Sequence, residues 1–385
     1  MESLITDTST HPVIGVFPNN WEFSRFGREF ERSNERNGDS PIGPMLSVSE
    51  YRGIEVRTNF RDGQLPSEDV SHYRVVRPGQ LVANLMWLDH GGLGVSHFPG
   101  YVSPAYMAFN ISERVDPAFA HHVLRSSVYV DSYKRLGRGV RPNSQMVDSV
   151  DLRQLPFPLP PLETQQRIAD YLDRETAEID AAVADLDRYV ELLEKRRSMI
   201  TSAALTGADS VKLAHLVRFR NGQDWKDVAT PDGEFPVYGS GGEFGRASNF
   251  LHDGEAILFG RKGTVDRPIY VDEKFWTVDT MYYAVPNKDK CLGKYLFYWA
   301  TTIPFETITT NTALPSVTSM DLSQLYVPLP PLESQQRIAD YLDRETAEID
   351  SLIADSTKLR DLLLKRRSVL IAEVVTGRKI GRAHV

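Results

Sequence analysis

A chain of 385 residues has length for two or three domains and can bury enough apolar surface to fold without disulfides. Its 41% hydrophobic, 25% charged and 10% aromatic residues exclude fibrous, collagen-like and wholly disordered classes, and a formal net charge of −8 argues against a protein that coats nucleic acid, though a global sum is silent about local patches. The single cysteine, Cys291, excludes an intrachain disulfide and a Cys-rich zinc site, and no run approaches the length of a membrane span, so a cytoplasmic protein is expected.

The first variable region, 12–154, shows short β-type runs at 73–76, 80–86 and 105–111. Asp116-Pro117-Ala118-Phe119 has alanine where the tetrad of amino-methyltransferases has its second proline, and no cofactor loop of the FxGxG type occurs, so it reads as a helix start. His121-His122 lacks a Cys or HExxH partner and reads as packing or surface. Residues 1–154 hold 16 basic against 18 acidic residues, yet Lys134, Arg135, Arg138 and Arg141 crowd a glycine-interrupted stretch followed by Asn143. Arginine and lysine between glycines suit phosphate contact and bidentate base reading, because glycine lets backbone approach a duplex.

The chain then repeats itself at an offset of 170. Residues 155–207 and 325–377 agree at 33 of 53 positions, including the sixteen-residue block QQRIADYLDRETAEID that opens at Gln165 and at Gln335. Two copies are too few for a solenoid and describe an alternation of variable region and repeat. After a proline-rich step, each copy holds no Gly or Pro until Gly207 or Gly377, and Lys-Arg-Arg lies near its end. A short helix ending near Arg174 and a long one from about Thr176 are expected, with Thr164 or Ser334 as N-cap. Ile179, Val183, Leu186, Val190, Leu193 and Ile200 fall on a heptad seam interrupted at Arg197. The second copy keeps Ile349, Ile353, Leu363 and Leu370 but sets Ser356 and Arg360 on that line, with Leu352, Leu359 and Leu362 alongside. Two such helices of roughly 28 residues, about 42 Å, can bury their stripes against each other as an antiparallel pair.

The second variable region, 208–324, has β-type runs at 256–259, 268–271 and 281–285 that follow the plan of the first, so both read as versions of one mixed α/β module. It has 12 basic against 15 acidic residues, but Arg246 lies upstream of Arg261-Lys262-Gly263, with Arg267 nearby. The stretch around Ser240, GSGGEFG, lacks GxGxxG spacing and reads as a flexible binding loop, while Arg261-Lys262-Gly263-Thr264 scrambles the P-loop order. Pro231-Asp232 with Asp272-Glu273-Lys274 satisfies a permissive PD…DxK nuclease pattern, which would require magnesium-dependent cleavage by the chain alone. A tandem adaptor that binds only proteins through its helices is the other alternative.

Two divergent regions alternating with two near-identical repeats, each opening on PLPPLE-x-QQRIADYLD, resemble the specificity subunit of type I restriction-modification systems over residues 12–379. The resemblance implies an α+β fold: two mixed α/β target-recognition domains, 12–154 and 208–324, in pseudo-twofold arrangement, separated by two long antiparallel coiled-coil-like helices in regions 155–207 and 325–379. It implies a non-catalytic subunit in which each domain reads one half of a bipartite duplex DNA site. The helices would set the spacer and dock two modification subunits, with restriction subunits joining through the complex. S-adenosylmethionine, ATP and magnesium are then expected on the partner subunits only, and no cofactor or metal on this chain. DNA contacts fall to Lys134, Arg135, Arg138, Arg141, Asn143, Ser240, Arg246, Arg261, Lys262 and Arg267. Residues 380–385 match one reading frame of a widely used sequencing adapter and are expected to be a non-native tail.

Overall fold

After its prolines nothing in either repeat breaks a helix until its closing glycine, and each holds one uninterrupted helix, Leu162–Ala204 and Leu332–Val375, of 43 and 44 residues. The computed structural model of the chain describes residues 8–11, 15–19, 21–49, 52–58, 69–138, 146–310 and 315–378. The expected division near Arg174 is therefore corrected. Thr176 continues the helix because its buried hydroxyl donates back to the Leu172 carbonyl, as Thr346 does to Leu342. Nor do Thr164 and Ser334 cap the helices. The Pro161 and Pro331 carbonyls accept the amides of Thr164 and Gln165 and of Ser334 and Gln335, so each helix starts directly behind its prolines. Both helices stop just before a glycine in the left-handed region, Gly207 at φ +88° and Gly377 at φ +74°. At 1.5 Å per residue each runs about 65 Å, half as long again as expected.

The chain divides into two compact units, Met1–Asp185 with Leu359–Val385, and Leu186–Lys358, so each contains part of both long helices. In the first unit an antiparallel sheet is ordered Phe30–Ser33, Tyr106–Ile111, Leu81–Asn84, Leu93–Val95. The strand Arg74–Val76 pairs with Gly100–Val102, and Leu46–Ser49 with Gly53–Val56. Helices Pro117–Arg125 and Ser127–Leu136 cover the sheet. Asp116 caps the first of these by accepting the Phe119 amide, as the Asp-Pro start suggests. Phe26, Phe30, Phe119, Phe157, Tyr129 and Tyr133 fill the core, joined by Ile168, Leu172 and Ile179 from the first long helix and Leu370, Ile371 and Val374 from the second.

In the second unit six strands are ordered Val217–Asn221, Met281–Pro286, His252–Gly260, Ile269–Thr277, Phe235–Gly239, Gly242–Ala247. All neighbours are antiparallel except Phe235–Gly239 beside Ile269–Thr277. The helix Gly293–Ala300 packs Tyr295, Leu296 and Trp299 beneath this sheet against Ile257, Phe259 and Tyr282. Cys291 is buried there, and burial pushes its thiol pKa up to about 12, so it behaves as a small apolar group.

The proline-rich steps are strands of these domains rather than linkers. Pro156–Leu159 pairs with Glu22–Arg25, and Tyr326–Pro328 with Ser210–Lys212. The repeat next supplies one buried glutamine per copy. Gln165 donates to the Arg114 and Pro160 carbonyls and accepts the Asp116 amide, while Gln335 donates to the Lys290 and Pro330 carbonyls and accepts the Leu292 amide. Repeat-equivalent side chains thus clamp the loop preceding a helix in each domain, which gives the common plan of the variable regions a physical basis. Residues 380–385 lie outside the described residues.

Candidate nucleic-acid interface

In the second domain the loop 261–268 joins two antiparallel strands, and Arg261, Lys262 and Arg267 all lie on it, exposed. The loop is held by main-chain bonds: the Arg261 amide donates to Thr280, the Gly263 amide to Pro315, and the Val317 amide to the Arg261 carbonyl. Gly260 is needed at its root, because a Cβ there would stand 2.2 Å from the Thr264 carbonyl oxygen. The Arg261 guanidinium lies over the Tyr282 ring at 5.8 Å, and Lys262 and Arg267 have no carboxylate in ion-pair range among the described residues. Unpaired cations held on a tethered loop keep their charge for an outside anion.

Ser240 sits at the turn of a hairpin whose Tyr238 carbonyl accepts the Val278 amide. Since Thr280 also holds Arg261, the segment 278–280 brings Ser240 and the 261–268 loop to one end of the sheet. The stretch expected as a flexible loop is instead two paired strands, Phe235–Gly239 and Gly242–Ala247, with a bulge between Val237 and Tyr238. Its glycines serve packing: Gly239 lies beneath Phe244, and a Cβ on Gly245 would meet Trp225 at 2.9 Å. Phe244 is 55% exposed and packs edge-on against Trp225, offering an aromatic surface next to the turn at Ser240. Arg246 is further back on the same strand, paired with Glu243 at 3.2 Å, and so is partly neutralised.

In the first domain Lys134 and Arg135 belong to the last turn of Ser127–Leu136 rather than to a loop, with Lys134 3.7 Å from Asp131. Arg138 follows, bonded to Asp151 at 2.7 Å and bridged through its backbone to Met146. Arg141 and Asn143 fall outside the described residues. The same domain contains a cleft of about 1130 Å³ that the sequence did not mark, lined among others by Arg52, Arg57, Tyr73, Trp87, His90, His97 and Phe98. Trp87 is 53% exposed on it. The signal was the aromatic, histidine and glycine-rich run WLDHGGLGVSHF, whose members acquire meaning only once residues 45–58 fold against them.

His121 and His122 are packing groups. His121 accepts the Val95 amide, and burial, with Arg125, His122, His97 and Arg367 nearby, holds its pKa well below the usual value. His122 pairs with Asp173 of the long helix at 2.7 Å. Within the nuclease pattern, Asp272 stands opposite Glu255 and Lys274 opposite Asp253 on paired strands, with the Lys274 ammonium over the Phe250 ring. Among the described residues no three His, Cys, Asp or Glu side chains are grouped as a metal site, and no helix is long and apolar enough to cross a membrane.

Along the helices, Ile179, Leu193, Ile349 and Leu370 are buried and Val183, Leu186, Val190, Ile353 and Leu363 half-buried. In the first unit Arg367 makes a bidentate bond to Asp180 at 2.8 and 3.1 Å, and in the second Arg197 meets Asp350 at 3.3 Å. These are the same two repeat positions with the copies exchanged, so the charge that interrupts the seam at Arg197 has a partner. Tyr189, Leu192 and Met199 remain exposed on one helix, and their equivalents Leu359, Leu362 and Val369 on the other.

Residues 209–357 match the family model for the Type I restriction modification DNA specificity domain. The chain is 22% identical to the putative type I restriction enzyme MjaX specificity subunit of Methanocaldococcus jannaschii over 95% of both chains. It is 28% identical over 110 residues, 29% of this chain and 22% of the relative, to the type I restriction enzyme EcoKI specificity subunit of Escherichia coli K12. A solved chain described under "Structural basis underlying complex assembly and conformational transition of the type I R-M system" superposes with a TM-score of 0.72 at 17% identity, covering 94% of this chain and 99% of that one, a likeness of fold. The chain is thus similar in sequence to specificity subunits of type I restriction-modification systems, over residues 209–357 by the family model and over nearly its whole length by the Methanocaldococcus jannaschii relative. The matched family model is described as a DNA specificity domain.

Proposed function

We propose that the chain is the non-catalytic subunit that selects the DNA target of a type I restriction-modification complex, each variable domain reading one half of a bipartite site. The observation that carries this reading is the double mounting: two diverged domains are clamped to two near-identical helices through equivalent glutamines, Gln165 and Gln335. One duplicated scaffold presenting two unlike domains suits a target with two unlike halves. The exchanged ion pairs, Asp180–Arg367 in one unit and Arg197–Asp350 in the other, favour an antiparallel run of the two helices within each unit, and the helices would act as the spacer between half-sites.

The exposed stripe that recurs at repeat-equivalent positions, Tyr189, Leu192 and Met199 against Leu359, Leu362 and Val369, supports one docking face per helix, hence two modification subunits. S-adenosylmethionine, ATP and magnesium would be bound by the modification and restriction subunits, and the complex would act in the cytoplasm. On the DNA side, Arg261, Lys262, Arg267 and Ser240 would form the contact surface of the second domain. Lys134, Arg135, Arg138 and Arg246 would contribute phosphate contacts, three of them after releasing acidic partners.

Mapping methylated sites in a host that carries the chain and its modification subunit tests the reading. Replacing residues 208–324 by another second domain should change one half-site and leave the other and the gap intact. Changes in both halves would refute independent reading. Magnesium-dependent cleavage by the purified chain, lost in Asp272→Ala, would replace it with the nuclease, and unchanged duplex affinity in Arg261→Ala/Lys262→Ala with the protein-only adaptor.

A further inference from the structure

In the first domain the stretch 35–37 runs as an extra strand beside Arg74–Val76: the Asn37 amide donates to Tyr73 and the Val75 amide to Glu35. Arg36 and Arg74 stand directly opposite between those bonds. That places them in the closer of the two antiparallel pair types, with both side chains on one face, where like charges destabilise a sheet. Arg74 is only 7% exposed, and none of its guanidinium nitrogens donates a hydrogen bond. Nε is fully enclosed and without a hydrogen-bond partner. No carboxylate answers it among the described residues. Glu35, the acid of the neighbouring strand, is held by Arg77 in a bidentate pair, and Arg36 reaches only the His72 carbonyl. Arg32, exposed on Phe30–Ser33, adds a third positive charge. Burial, followed by the charges of Arg32 and Arg36, lowers the Arg74 pKa from its usual value.

A buried guanidinium without a partner, set against a second arginine and near a third, costs stability in the isolated protein, and an anion bridging them removes that cost. We propose that Arg32, Arg36 and Arg74 form a binding site for one phosphodiester group of a DNA backbone, an anchor of the first domain apart from the residues that the glycine-rich motif marks. Arginine's planar fork suits a phosphate oxygen pair, and a backbone contact of this kind gives register without base preference. The assignment rests on the chain being the DNA-recognition subunit.

The test uses the full chain with two probes, inorganic phosphate against chloride at equal ionic strength, and a duplex of arbitrary sequence titrated across salt concentrations. Arg74→Met removes the buried donor, and Arg32→Gln/Arg36→Gln changes only exposed side chains, so one of the pair folds even where the other does not. Phosphate should raise the thermal midpoint of the unaltered chain and of neither variant. In chloride, Arg74→Met should melt at or above the unaltered chain, since it loses an uncompensated charge. Duplex affinity should fall roughly tenfold in each variant, with a salt slope shallower by about one. An unaltered slope and affinity in both variants overturns the site as a DNA anchor, and a duplex-independent phosphate effect then identifies a free-anion site instead. A lower midpoint of Arg74→Met in chloride, with no phosphate response in the unaltered chain, makes Arg74 structural and also overturns it. If the unaltered chain responds to phosphate yet binds no duplex, the recognition-subunit reading fails rather than the anion site.

Discussion

Replacing Gln335 with alanine should loosen the second domain from its helix at one definable place. The side chain makes three hydrogen bonds of 2.8–3.0 Å, donating to the Lys290 and Pro330 carbonyls and accepting the Leu292 amide, and it is fully buried. Roughly 1 kcal/mol for each bond puts the cost near 3 kcal/mol, and more if the orphaned groups stay dry. Leu292 precedes the helix Gly293–Ala300, so its amide has Gln335 as its protector. Hydrogen–deuterium exchange at Leu292 should then accelerate about a hundredfold, since each 1.4 kcal/mol is a factor of ten. The Asp116 amide, held by Gln165, should exchange at its original rate. Gln335→Glu keeps an acceptor for Leu292 but loses both donors, and should protect that amide while still lowering the thermal midpoint. Unchanged exchange at Leu292 in Gln335→Ala, or an equal rise at Asp116 and Leu292, would refute the clamp.

Other outcomes follow from the same geometry. Asp180→Ala and Arg367→Ala should show a coupling of only about 0.5–1 kcal/mol in a double-mutant denaturation cycle, because Asp180 is half exposed, and additive losses would deny the pairing. His121 has a folded-state pKa below its unfolded value, so the unfolded chain takes up the proton first and stability falls as pH drops below about 6.5, by at most about 1.4 kcal/mol per pH unit. In His121→Gln the thermal midpoint should lose that part of its pH dependence, and an identical profile would contradict the assignment. Gly260→Ala must displace the Thr264 carbonyl and should cost roughly 2 kcal/mol with weaker duplex binding, whereas full stability would show that the 261–268 loop is not fixed at its root.

The repeat made the helices legible, since 33 matching positions and the absence of Gly and Pro leave few other conformations open. Their continuity was harder to read. Thr176 is a poor helix former by propensity, and only its buried bond to Leu172 shows that the chain passes straight through. The strand runs at 80–86 and 105–111 appear within a residue or two as Leu81–Asn84 and Tyr106–Ile111, because short apolar runs bounded by turn residues mark a strand locally. Local pattern cannot show what distant residues do together. Arg36 and Arg74 are separated by 38 positions and become neighbours through a strand pairing that no periodicity announces. The cleft around Trp87 likewise needs residues 45–58 brought beside it.

The glutamine clamps touch only main-chain atoms of the domains they hold: the Arg114 carbonyl and Asp116 amide in one, the Lys290 carbonyl and Leu292 amide in the other. Every amino acid offers such a carbonyl, and all but proline such an amide, so mutation can rewrite these loops without weakening the grip. About two turns of helix further on, the repeat-equivalent Asp173 and Asp343 bond side chains instead, His122 in one copy and Lys294 with Tyr298 in the other. The glutamine fastening, blind to side-chain identity, lets the loops of each domain change in sequence while the mount stays as it is.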